Sequence, residues 1–190
     1  MIRIAILASG SGSNAQKLVE YFAQNDLARV ELILTNNPHA GVIQRAENLG
    51  VKCVSFDSKA QNEEILTILQ NEADVVLLAG YLKMIPASWV HSFNGKMLNI
   101  HPALLPKFGG KGMYGANVHK AVSEAGEVES GITIHLVNEH YDEGAIVAQY
   151  IVDIEPFEDP ESIEAKVREL EIDYYAPTVE AWLEQLITSN

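Results

Sequence analysis

Apolar residues gather in short runs along this chain, and between the runs they recur at every third or fourth position. Ile2, Ile4, Ile6 and Leu7 form the first run, which stops at Ser9-Gly10-Ser11-Gly12-Ser13-Asn14. A short apolar run closed by glycines predicts a buried strand followed by a tight turn. Beyond the turn, Ala15, Leu18, Val19 and Phe22 share one helical face, with Ser13 or Asn14 placed to cap its first turn. The alternation then repeats: strands at 30–34, 52–56, 75–79 and 96–100, with helices at 41–49 and 63–70. Each crossover must return the chain to the same edge of the sheet. The expected architecture is therefore α/β, a doubly wound, mostly parallel Rossmann-like sheet covered on both faces.

The pattern changes after His101-Pro102. Residues 105–112 hold three glycines with Lys107 and Lys111 and read as a loop. A helix is expected over 116–124. Strands are expected over 131–137 and 145–154, joined by an irregular segment and paired as an antiparallel appendage. Pro160 and Pro177 each head a helical stretch, so two acidic helices, 161–171 and 178–187, are predicted. The 190 residues suit a single domain with a core large enough to fold without disulfide or metal.

Charge narrows the function. Thirteen basic against 26 acidic residues give a net charge of −13, which repels nucleic acid and anionic membranes. Residues 151–190 hold 11 of the acids, so an anionic small molecule remains admissible where local donors meet it. No run approaches the length of a membrane span and the N-terminus lacks a signal-peptide pattern, which points to the cytoplasm. The lone Cys53 reads as a buried, inert thiol, and His39, His91 and His119 read as surface residues.

Four groups of residues could carry chemistry. The glycine-rich turn offers backbone N–H groups at a helix start, a site for phosphate or carboxylate. Gly10-x-Gly12-x-x-Ala15 also meets a loose dinucleotide fingerprint, but Thr35-Asn36-Asn37 stands where that fingerprint expects an acid. Asn99 and His101, two apart at a strand end, share a face at the carboxyl edge and suit a carbonyl that becomes an oxyanion. In the loop 138–144, Asp142 could raise the pKa of His101 and orient it. A metal site from His135, Glu139, His140 and Asp142 lacks any standard ligand spacing, so no metal is expected. No Gly-x-Ser-x-Gly elbow is present, and direct transfer between two bound substrates fits better than a covalent nucleophile. Three readings stay open: an acyl-type transferase, a dinucleotide-dependent oxidoreductase, and a non-catalytic module for a phosphate ligand.

Taken together, Gly10-Ser11-Gly12-Ser13-Asn14, Leu98-Asn99-Ile100-His101-Pro102 with Leu104-Leu105-Pro106-Lys107, and Asp142-Glu143-Gly144 resemble the phosphoribosylglycinamide formyltransferases of purine biosynthesis. The resemblance runs nearly the whole length. It implies formyl transfer from 10-formyltetrahydrofolate, used as co-substrate, to glycinamide ribonucleotide, with Asn99, His101 and Asp142 catalytic. It also implies that Gly12, Ser13, Asn14, Ala15 and Gln16 hold the nucleotide phosphate. Glu171, near Pro177, is the implied further substrate contact. Folate is implied at Leu82, Lys83, Met84 and Ile85 and at Asn138, Glu139, His140, Tyr141 and Asp142, besides Asn99, with Lys59 standing where a relative carries arginine. The implied division of labour is a nucleotide-phosphate half over about 1–95 and a folate-binding and catalytic half over about 96–190, in a monomer or homodimer. Phe108 to Gly115 departs from the common family pattern.

Overall fold

A computed structural model describes residues 1–188. The chain forms two compact units, one from Met1 to Asn99 and one from Ile100 onward.

In the first unit lie β1 (Ile2–Leu7), β2 (Ala28–Thr35), β3 (Lys52–Ser55), β4 (Val75–Leu78) and the start of β5 (Met97–His101), with α1 (Ser13–Phe22), α2 (Val42–Leu49), α3 (Asn62–Glu72) and α4 (Ala87–Ser92). The strands run parallel in the order β3-β2-β1-β4-β5. Ile4, Ile6, Leu7, Leu32, Ile33, Leu34, Val76 and Leu77 are buried, as unbroken apolar runs require of strands covered on both faces. Right-handed crossovers that step outward from β1 to β3 and then return past β1 to β4 and β5 put α1 and α2 on one face of the sheet and α3 and α4 on the other. Accordingly α1 packs on α2, and α3 on α4. The direction of winding reverses between β1 and β4, and in open α/β sheets ligands bind at the carboxyl edge of that reversal.

The second unit takes the end of β5 and holds α5 (Ala116–Glu124), β6 (Glu129–Leu136), β7 (Ile146–Asp153) and α6 (Pro160–Thr188). β6 and β7 are antiparallel, as the sequence predicts, with an irregularity between Ile134 and His135 that leaves Val147 outside the pairing. α6 packs on α5, β6 and β7.

The two predicted terminal helices are one 29-residue helix, with Pro177 inside it. Proline leaves the carbonyl four residues earlier, on Asp173, without its helical donor. The buried stripe runs past that point, through Ile163 and Val167 to Tyr175, Val179 and Leu183, and its burial offsets the lost hydrogen bond. Tyr150 of β7 ties into the same helix, stacking on Tyr174 and sharing a 2.8 Å hydroxyl hydrogen bond with Thr178. No helix among the described residues is long and apolar enough to cross a membrane.

Candidate active site

Ser9 organises the carboxyl edge of the first unit. Its N–H donates to the Gly80 carbonyl at 3.0 Å, its Oγ accepts the Leu82 N–H at 2.9 Å, and the same hydroxyl donates to Asn36 Oδ1 at 2.6 Å. The Asn37 amide donates to the Ser9 carbonyl. Two predicted sites, the glycine-rich turn and the segment 82–85, are thus tied together through one serine. Asn36 and Asn37, standing where a dinucleotide site wants an acid, serve to hold the turn.

Gly12 is the N-cap of α1 at φ +80°, and no side chain caps the helix. A Cβ here would lie 2.5 Å from Val42 Cγ2, so glycine is required both by conformation and by the approach of α2. Arg45 of α2 reaches back to the turn, where its Nε donates to the Ser11 carbonyl at 2.8 Å and its Nη1 to Gln16 Oε1. Sequence reasoning missed Arg45, which lies 34 residues from Ser11. Asn14 and Ala15 are buried, and Ser13 and Gln16 are half-buried. Leu82 and Met84 expose apolar surface, 44% and 49% respectively, beside the exposed Lys83, whereas Ile85 is buried. Lys59 is exposed between β3 and α3, its N–H bonded to Asp57 Oδ1.

Asn99 and His101 lie two residues apart on β5 and therefore face the same side. In the second unit His101 is buried. Its Nδ1 lies 3.6 Å from Asp142 Oδ1, and its Nε2 lies 2.8 Å from the Phe108 carbonyl. The other Asp142 oxygen, Oδ2, accepts the Gly110 N–H at 2.9 Å. His135 joins the same carboxylate, with Nε2 at 3.6 Å from Oδ1 and Nδ1 at 2.8 Å from the Leu136 carbonyl. The structure thus brings His101 and Asp142 together, as expected, and adds His135, which the sequence offered only as a metal ligand. Among the described residues no group of three or more His, Cys, Asp or Glu side chains could hold a metal ion.

The backbone near this cluster is held in uncommon conformations. Phe108 and Asp142 sit at φ +55° and +58° without being glycine, and such outliers concentrate at ligand sites. Gly109 has no room for a side chain, since a Cβ would meet Leu105 Cδ2 at 2.5 Å and Asp142 Cβ at 3.3 Å. Thr133 Oγ1 holds the segment leading out of His101, accepting the Leu105 N–H and donating to the Ala103 carbonyl, while Gln149 donates to Thr133 and to the Leu105 carbonyl. The departure from the family pattern at Phe108 to Gly115 therefore lies directly on the cluster.

The expected rise in the His101 pKa is reversed. Burial pushes the ring below the ordinary imidazole value and outweighs the opposing pull of Asp142 and the Phe108 carbonyl. Burial likewise pushes the Asp142 carboxyl up, but His135, His101 and the Gly110 N–H together take it below the ordinary carboxylate value. Two further expectations are corrected. His119 is buried within α5, with only 4% exposure and an unpartnered Nδ1, because it falls in the helix stripe with Val118 and Val122. Cys53 is half-buried instead of enclosed, its thiol pushed up by what burial it has. Of the remaining site candidates, Asn138 is half-buried at the start of the loop 138–142, Glu139, His140 and Tyr141 are exposed, and Glu171 is half-buried on α6.

A doubly wound sheet carries the histidine–aspartate pair, and residues 2–179 match the formyl transferase family model. The chain belongs to the formyl transferase family. It is 41% identical over 97% of its length to a chloroplastic phosphoribosylglycinamide formyltransferase of Vigna unguiculata, of which it spans 62%, less than two thirds. It is 37% identical, over 96% of its length, to the phosphoribosylglycinamide formyltransferase of Haemophilus influenzae, of which it covers 87%. A crystal structure of glycinamide ribonucleotide transformylase 1 from Geobacillus kaustophilus superposes with a TM-score of 0.88 at 37% identity, covering 96% of this chain and 99% of that one.

Proposed function

We propose that this protein transfers a formyl group from 10-formyltetrahydrofolate to the amine of glycinamide ribonucleotide, a step of purine biosynthesis. The observation that carries the reading is the pairing of the buried His101 with Asp142, within a chain that matches the formyl transferase family over residues 2–179. The folate supplies an activated formyl carbon. At neutral pH, with its pKa lowered, His101 is uncharged, and its Nε2–H is the donor for the formyl oxygen as negative charge develops there. The Asn99 amide donates beside it from the same strand face. Asp142, facing Nδ1, favours the imidazolium when a proton must reach the departing nitrogen.

Gly12, Ser13, Asn14, Ala15 and Gln16 bind the nucleotide phosphate in this reading, with Arg45 steadying the turn and Glu171 a further contact. The exposed apolar surface of Leu82 and Met84 suits a planar heteroaromatic ring, and with Lys83, Ile85, Lys59 and the loop Asn138, Glu139, His140, Tyr141 and Asp142 it makes up the folate site. The division of labour is phosphate binding over about 1–95 and folate binding with catalysis over about 96–190. We further propose a cytoplasmic monomer or homodimer with no nucleic-acid partner. Purified protein given both substrates is expected to release tetrahydrofolate and formylated nucleotide. Absence of formyl transfer at saturating concentrations of both defeats the reading.

A further inference from the structure

The hydrogen bonds of the two histidines fix where their protons lie. A carbonyl oxygen only accepts, so His101 carries a proton on Nε2, facing Phe108, and His135 carries one on Nδ1, facing Leu136. The other ring nitrogens, His101 Nδ1 and His135 Nε2, both point at the same oxygen, Asp142 Oδ1, each at 3.6 Å. When both rings are neutral these two atoms present lone pairs to a carboxylate, and neither approach is a hydrogen bond at that distance. A second proton on either ring turns its approach into an ion pair. The carboxylate then serves one imidazolium, and a second one beside it is opposed by the first.

We propose that His135 is a positioning residue for the transfer reaction: it competes with His101 for a single oxygen of Asp142 and so sets how readily His101 takes up its second ring proton. The inference rests on the proposed formyl transfer only for its consequence on rate. Its geometry is built into the fold. The irregularity between Ile134 and His135 interrupts the β6–β7 ladder at this residue, the kind of local break that re-aims a side chain beside a site. A Cβ at Gly144 would lie 1.6 Å from the Leu136 carbonyl and 3.4 Å from His135 Nδ1, so glycine after Asp142-Glu143 leaves room for the carbonyl that anchors the ring. His135 is buried, and its charge acts against that of His101. The other titratable groups acting on this cluster are His119 from α5, which repels a charged His101, and Glu164 from α6, which acts on His119.

The test is imidazole nitrogen NMR on the full chain labelled at histidine, run alongside the pH dependence of kcat. In the wild-type protein His101 should show the Nε2–H form and His135 the Nδ1–H form when neutral, and the His101 titration should carry the influence of charge on His135. In His135→Gln the competitor is gone, and the midpoints of both the His101 titration and the kcat profile should move to higher pH, by about half a unit or more. A structural role alone would lower kcat at all pH values and leave both midpoints in place, which overturns the proposal. So does a His101 titration in the wild-type protein that is indifferent to charge on His135, a result that needs no variant to fold. Wild-type protein whose His101 titration carries that influence but that shows no formyl transfer defeats the proposed reaction and leaves the competition for Asp142 supported.

Discussion

Asp142→Asn isolates the charge of the carboxylate from its shape. Gly110 N–H already donates to Oδ2, so the variant amide must keep its oxygen there and turn its NH2 to the Oδ1 position, facing His101 Nδ1 and His135 Nε2. An N–H aimed at a ring lone pair favours the neutral ring, the opposite of what the carboxylate does. For unit charges 3.6 Å apart, the carboxylate attracts an imidazolium by about 5 kcal/mol at an effective dielectric of 20. Only part of that is realised as transition-state stabilisation, because charge on His101 is partial and developing. Loss of one preorganised electrostatic group costs about 3–4 kcal/mol, or about 10²–10³ in kcat. The assay is steady-state release of tetrahydrofolate from both substrates, with thermal melting as the folding control. A variant that melts with the wild type and keeps kcat within tenfold removes the carboxylate from the mechanism.

Gly12→Ala sets a strained φ and a 2.5 Å clash with Val42 against a turn that must stay open. It should cost about 1–3 kcal/mol, lower the melting temperature by several degrees and raise KM for the nucleotide, whereas an unchanged melt shows that α2 yields easily. Arg45→Ala removes the guanidinium from the Ser11 carbonyl and Gln16; KM for the nucleotide should rise about tenfold, the order of one charged hydrogen bond, with kcat held within threefold. An unchanged KM separates Arg45 from the phosphate turn. Stability should fall with acid, since His101 and His119 both have folded-state pKa values below their unfolded ones. The unfolded chain then binds protons first, so their contribution is complete above about pH 6.5 and is lost as pH falls through that value. Melting followed from pH 8 to 5 checks this, and His119→Gln should flatten the slope.

The strands of the first unit were legible because each holds a short apolar stretch, and the winding followed from alternation alone. Asn99, His101 and Asp142 were legible as chemistry because amide, imidazole and carboxylate stand at the end of a strand and in a loop, where ligands are met. His119 carried a usable signal that its polar neighbours Asn117 and Lys120 obscured: it continues the Val118, Val122, Ser123 stripe of α5. Pro177 misled because a helix-breaking residue is a local signal, and the long buried stripe of α6 overrides it. Arg45 and His135 were illegible as site residues. Arg45 depends on α2 closing over a turn 34 positions earlier, and His135 depends on a ladder irregularity that no periodicity announces. The His101 pKa failed in direction because the sequence names its charged neighbour but not the depth of its burial.

The Phe108 carbonyl already engages the ring nitrogen assigned to the formyl oxygen. Any ligand that uses Nε2 enters by displacement, exchanging one acceptor for another, and the dissociation constant observed is the intrinsic one divided by the fraction of time the backbone has withdrawn. Changes to the peptide around Phe108 can therefore tighten or weaken binding from positions that a ligand never meets.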